Sequence, residues 1–183
     1  MTVATHGVSA STPGRILLDA GVVYIGYTSL DSPGTLLGAT KDGSVFEVNR
    51  TLRDLRPDGA KGPVKGFRRL EECVATLTVN LLEITETNLL LALAGSSASS
   101  HTITGGEVAD ADFISKVALL VRVSGFNETT APIELVLSNV LVEGPLTIDA
   151  KPNDEHPIKL VFKAHYTAAD LTTEPWSITY PAS

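Results

Sequence analysis

The stretch "CVATLTVNLLEI" (73–84) decides how the chain is built. Cys73, Ala75, Leu77, Val79 and Leu81 alternate with Val74, Thr76, Thr78 and Asn80, apolar against mostly polar. A period of two places successive side chains on opposite faces of a β-strand. One apolar and one wettable face predicts an antiparallel strand that covers a core on one side only. Upstream, "SVFEVNRTL" (44–52) repeats the pattern, with Phe46, Val48 and Leu52 on one face and Glu47, Asn49, Thr51 and Arg53 on the other. Between the two lies "PDGAKGPVKG" (57–66), whose glycines and prolines end regular pairing. The three pieces read as a long hairpin with a protruding tip.

The flanking sequence extends the same architecture. Val22–Ile25 favours strand, broken by glycine on either side. "FISKVALLVRVSG" predicts a buried strand around Val117–Val123, and "PIELVLSNVLVEG" another, with Ile133, Leu135, Leu137 and Leu141 on one face. "PIKLVFKAHY" alternates from Ile158 through Leu160, Phe162, Ala164 and Tyr166, and "PWSITYP" closes with a short strand. "SSASSHTITGG" (96–106) reads as a loop with a short strand near His101–Thr104. One helix is expected in "ETNLLLALAG", capped by Thr85, with Glu86 at its positive end and Gly95 just past its C-terminus. Leu89, Leu90 and Leu93 give it an apolar stripe. About eight strands and one helix, without βαβ alternation, predict a mainly β chain folded as a sandwich or rolled barrel.

The bulk numbers narrow the function. At 183 residues one domain, 1–183, is expected, and 43% apolar residues suffice for a core. The formal charge of −7 argues against a freestanding nucleic-acid binder. The single cysteine, Cys73, excludes an intrachain disulfide and reads as packing. The start "MTVATHGVSASTPGR" has neither the basic nor the apolar region of a signal peptide. Residues 1–14 read as a flexible arm. The run "NLLLALAG" falls well short of the ~20 apolar residues of a membrane helix.

Catalytic patterns are missing. His6, His101, His156 and His165 lack metal-ligand spacing, no GxSxG, HExxH or SxxK occurs, and "GAKGPVKG" does not match a P-loop. The carboxylates of "DAD" (110–112) and "DEH" (154–156) read as solvated turns. The expectation is a protein without enzymatic activity, cofactor or metal.

One segment stands apart in charge. Between Val48 and Glu72 lie Arg50, Arg53, Arg56, Lys61, Lys65, Arg68 and Arg69, half of the fourteen basic residues. Asp54, Asp58, Glu71 and Glu72 are interleaved with them, and Phe67 is the one aromatic nearby. Mixed signs without stacking platforms suit self-recognition better than a polyanion.

The segment "GATKDGSVFEVNRTLRDLRPDGAKGPVKGFRRLEECVATLTVNLLEITETNLLLAL" (38–93) resembles the major tail protein of long, flexible-tailed bacteriophages. A "GATxxGxxFEV" strand, an "RxxR" segment, "DGxxGPVKG", an "ATLTVNLLEIT" strand and a helix opening "TxxNL" follow in order over about a third of the chain. The resemblance implies a tail-tube fold with one flanking helix. It implies hexameric rings stacked into a virion tail tube, assembled in the host cytoplasm, that conducts DNA into the host. It implies tape-measure and tail-terminator proteins as partners, transient non-specific passage of DNA, and no membrane. By position, 42–69 would be the inter-ring loop, with contacts from Arg50, Arg53, Asp54, Arg56, Asp58, Lys61 and Lys65. Segments 1–14 and 167–183 would add contacts between subunits. The polar face of Glu72, Thr76, Thr78 and Asn80 would line the channel. Net negative charge suits a conduit, because sliding DNA should not be held by counterion-releasing contacts. Alternatives are a secretion-system tube protein of similar architecture and a β-sandwich carbohydrate-binding module. The latter has little support where aromatics make up 5% and Trp176 is the single tryptophan.

Overall fold

The computed structural model describes residues 12, 15–17, 19–122 and 131–181. The chain is mainly β with antiparallel sheets and one α-helix. In order come β1 (Val22–Ile25), β2 (Thr35–Leu36), β3 (Thr40–Asp54) and β4 (Arg68–Leu81), then α1 (Glu86–Ala92). After them come β5 (Ser97–Ser99), β6 (Thr102–Thr104), a 3-10 turn at Asp110–Asp112, β7 (Ile114–Val121), β8 (Ile133–Val142), β9 (Ile158–Ala164) and β10 (Trp176–Thr179). The large sheet has eight strands, ordered β2-β1-β7-β8-β9-β4-β3, with β10 also paired to β8. β5 and β6 form a separate hairpin, tied to the start of α1 where His101 Nδ1 lies 2.7 Å from Glu86 Oε2.

β8 is the strand on which the sheet turns. One edge pairs with β7 along its length, while the other pairs with β10 at Glu134–Leu137 and with β9 at Val140–Val142. Val23, Leu119, Leu137, Leu77, Leu160 and Phe162, drawn from both ends of the sheet, share one buried cluster. The sheet therefore rolls until its two halves face each other across a common core. The alternations read in β4 and β9 appear as buried positions at Cys73, Ala75, Leu77, Val79 and Leu81 and at Ile158, Leu160, Phe162 and Ala164.

The alternation in β8 does not hold. Leu135 and Leu137 face the core, but so do Val140 and Val142, and Leu141, expected with them, does not join the cluster. Asn139 adopts φ +51, a left-handed conformation that Asn tolerates and that inverts the phase of the strand. β7 is described from Ile114 to Val121, and the expected end at Val123 lies outside the described residues.

α1 is capped as expected, with Thr85 Oγ1 accepting from Asn88 N at 3.1 Å. Its apolar stripe is displaced. Asn88 and Ala92 are buried and Leu89 and Leu91 pack on the core, not the trio Leu89, Leu90 and Leu93. Burial of Asn88 is tolerable because its Nδ2 donates to Glu83 O at 3.0 Å. Gly95 follows at φ +79, and a Cβ there would lie 2.8 Å from the Glu107 backbone, so glycine is required on both counts.

The outer face of β1, β7 and β8 carries a small second cluster of Tyr27, Ala118 and Val136, flanked by Tyr24 and Leu120. The Tyr27 hydroxyl donates to Glu134 there. Burial first, then that bond, push its pKa well above the usual tyrosine value.

Candidate assembly surface

β4 is paired on both edges only in part. It meets β9 from Thr76 to Leu81, and from Ala75 back to Arg68 its single partner is β3. Beyond the sheet the hairpin continues as a two-stranded ribbon. Of the eight residues of β4 past β9, Ala75 stays in the core and Cys73 is buried, while the five from Arg68 to Glu72 are exposed and extend roughly 17 Å at the rise of an antiparallel strand. The pairing runs one step past the strand ends, where Leu55 N donates to Phe67 O at 2.8 Å, and a register shift between Thr51 and Leu52 adds twist. The segment expected as a loop from residue 42 thus begins inside the sheet, where Phe46 and Val48 pack on the core, and only its outer part protrudes. Leu52 leaves the core face with it and is 49% exposed, its cross-strand partner Leu70 being 40% exposed.

The residues expected at an inter-ring contact separate along this arm. Arg50 stands at the root, opposite Cys73. Arg53 faces Arg69, and Asp54 is bonded to Arg68 at 2.7 Å, which holds its carboxyl below the usual range. Arg56, Asp58, Lys61 and Lys65 occupy the tip connection between β3 and β4, all exposed. Leu55, Val64 and Phe67 accompany them as exposed apolar side chains. An exposed ribbon bearing apolar groups is poorly stable alone and suits burial against a partner.

The root is clamped by the C-terminal segment. Glu174 accepts from the Cys73 thiol at 2.9 Å, from Trp176 Nε1 at 2.5 Å and from Arg50 at 3.2 Å. One carboxylate therefore ties β3, β4 and β10 together. Sharing the thiol proton is the largest cause of a lowered Glu174 pKa, whereas burial first, then Glu174, raises that of Cys73. The preceding turn is ordered by Asp170, whose Oδ1 accepts from Thr172 N, Thr172 Oγ1 and Thr173 N at 2.9–3.0 Å. Cys73 was legible only as a packing residue, because its partners lie about a hundred residues downstream with no local signal.

Of the residues expected to line a channel, three come together and one does not. Thr76, Thr78 and Asn80 share the face of β4 turned away from the core, half-buried between β3 and β9. Cross-strand rows run Glu47–Thr76–Lys163 and Val45–Thr78–Val161, with Asn80 beside Lys159. Glu72 lies farther out, exposed in the arm opposite Thr51. The expected arm 1–14 falls outside the described residues except for Thr12, and within 167–183 the clamp is made by Glu174 and Trp176, with 182–183 outside.

Among the described residues no group of three or more His, Cys, Asp or Glu is placed to hold a metal ion. His165 is engaged on both sides, by Asn139 O and Glu143 Oε1 at 3.2 Å each, with Phe113 edge-on. No helix among the described residues is long and apolar enough to cross a membrane. Trp176 is half-buried against the core, with its N–H donated to Glu174.

No family model and no curated protein matches the chain. Among solved structures, it is similar to a chain of "Virion of native gene transfer agent (GTA) particle", over 88% of this chain and 96% of that one. The identity is 10% and the TM-score 0.40.

Proposed function

We propose that this chain is a non-enzymatic tail-tube subunit of a phage-like virion. It self-assembles into hexameric rings whose stack conducts DNA into the host. The reading is carried by the two-stranded arm, which leaves the rolled sheet with mixed charge and exposed apolar side chains and, among the described residues, no partner strand on either edge past Ala75. Among the described residues the outer edge of β3 is open over fifteen residues, and closure into a ring satisfies such an edge. In a ring, the face of Thr76, Thr78 and Asn80 lines the channel, and the arm reaches the next ring. Tape-measure and tail-terminator proteins would meet the ends of the tube.

Negative-stain microscopy of concentrated protein tests this. Rings and tubes are expected, and deletion of 54–64 leaves a folded monomer or single ring that does not stack. A chain that sediments as a monomer at every concentration and salt overturns the reading, and normal tubes from the deletion overturn the arm's part in it.

A further inference from the structure

At the end of β4 opposite the arm lies an open groove of about 650 Å³ between the strand end and the 148–156 segment. Its floor is apolar, with Ile84 51% and Ile148 58% exposed beside Leu82 and Pro152. Asp149, Lys151, Glu155 and His156 line its rim with Asp154 adjoining, so that with Lys41 three carboxylates meet two lysines and the rim carries a net negative charge. Two lysines stand there, and both are already engaged, Lys41 with Glu155 at 3.1 Å and Lys151 with Asp149 at 2.6 Å. Asp42 and Glu83 add negative charge at the same end, where Thr40 pairs with Leu81. The arm is the converse, with exposed Val64 and Phe67 at its tip and seven basic residues against four acidic ones.

Resting on the tube reading, we propose that this groove receives the arm tip of a second copy of the chain. Val64 and Phe67 cover Ile84 and Ile148, and Lys61 and Lys65 meet the acidic rim. The geometry favours this occupant over an unrelated protein. Tip and groove lie at opposite ends of one fourteen-residue strand, roughly 45 Å apart, so one molecule cannot satisfy both. A contact between unlike surfaces repeats head-to-tail and builds an open stack rather than a closed dimer. Apolar floor against apolar tip supplies burial, and opposite charge around them fixes the register.

Charge exchange tests it. Lys61→Glu with Lys65→Glu reverses the tip, and Asp149→Lys with Glu155→Lys reverses the rim; all four positions are surface sites, and circular dichroism confirms folding. Each reversed pair alone is expected to raise the concentration at which polymer first sediments by about tenfold or more. All four changes in one chain restore polymer at near wild-type concentration. If wild-type chains polymerise and the rim reversal does too, the groove is not the receptor while the tube reading stands. If the four changes together do not restore polymer, the pairing of tip with rim is overturned. Wild-type chains that never polymerise overturn both.

Discussion

The β3–β4 hairpin contains two regions with the same backbone and opposite physics. From Thr40 to Val48 and from Thr76 to Leu81 it is paired on one side by β9 and packed on the core. From Asn49 outward the same ladder continues with no third strand among the described residues, and past Val74 and the buried Cys73 at its root the side chains of 50–53 and 68–72 are exposed. Backbone hydrogen bonding is common to both, so it cannot be what distinguishes their stability. Burial of one apolar face does that, because each fully buried aliphatic or aromatic side chain is worth about 1.5–3 kcal/mol relative to exposure. The inner half specifies the fold, and the outer half is left to be stabilised by what it meets.

The largest test of that contrast lies in the core. Phe162 is fully buried between the sheet halves, opposite Leu77. Phe162→Ala is expected to lower stability by about 3–5 kcal/mol in urea unfolding. A loss below about 1 kcal/mol would mean that the rolled halves do not share a core.

The inner half was legible because burial on one face writes a period of two into β4 and β9. What escaped were features that periodicity does not encode. The phase inversion in β8 rests on one left-handed residue, Asn139, whose amide donates to His165 O at 3.3 Å. The inward face of α1 turned on a polar residue, Asn88, that satisfies itself locally. The groove and the Glu174 clamp join residues far apart in sequence, and nothing local announces them. The inversion can be tested directly. Asn139→Val strains a β-branched residue and is expected to cost about 1–3 kcal/mol. Asn139→Gly also loses the amide but relieves the strain, so it costs less. Equal losses in thermal unfolding would show that the amide, not the left-handed backbone, sets the phase.

The clamp marks the boundary between the two regions, and its effect should be smaller. Arg50 and Glu174 are partly exposed, so Glu174→Gln is expected to cost about 1 kcal/mol or less. Its signature is in pH. The Glu174 carboxyl is depressed in the folded chain, so its contribution is complete above the ordinary carboxylate range and is lost as pH falls through the lowered folded value. Fluorescence of Trp176, the only tryptophan, should shift in that acid window in the wild type and not in Glu174→Gln. Above neutral pH the variant's Cys73 should react severalfold faster with a thiol reagent, because the carboxylate that helps keep it protonated is gone. Unchanged reactivity would remove Glu174 as the group that guards the arm's root.

The smallest effect is expected in the arm itself. Leu70 faces Leu52 across the ribbon, and both are about half exposed. Leu70→Ala removes one cross-strand contact worth about 0.2–1 kcal/mol. Because the ribbon can open without disturbing the core, the midpoint of global unfolding should barely move, while amide exchange in 68–74 accelerates. The same substitution should weaken polymerisation more than it weakens the monomer, since the apolar surface it removes is covered only on assembly. A drop in monomer stability comparable with that of Phe162→Ala would merge the two regions into one cooperative unit and end the distinction between a folded base and an arm that awaits its partner.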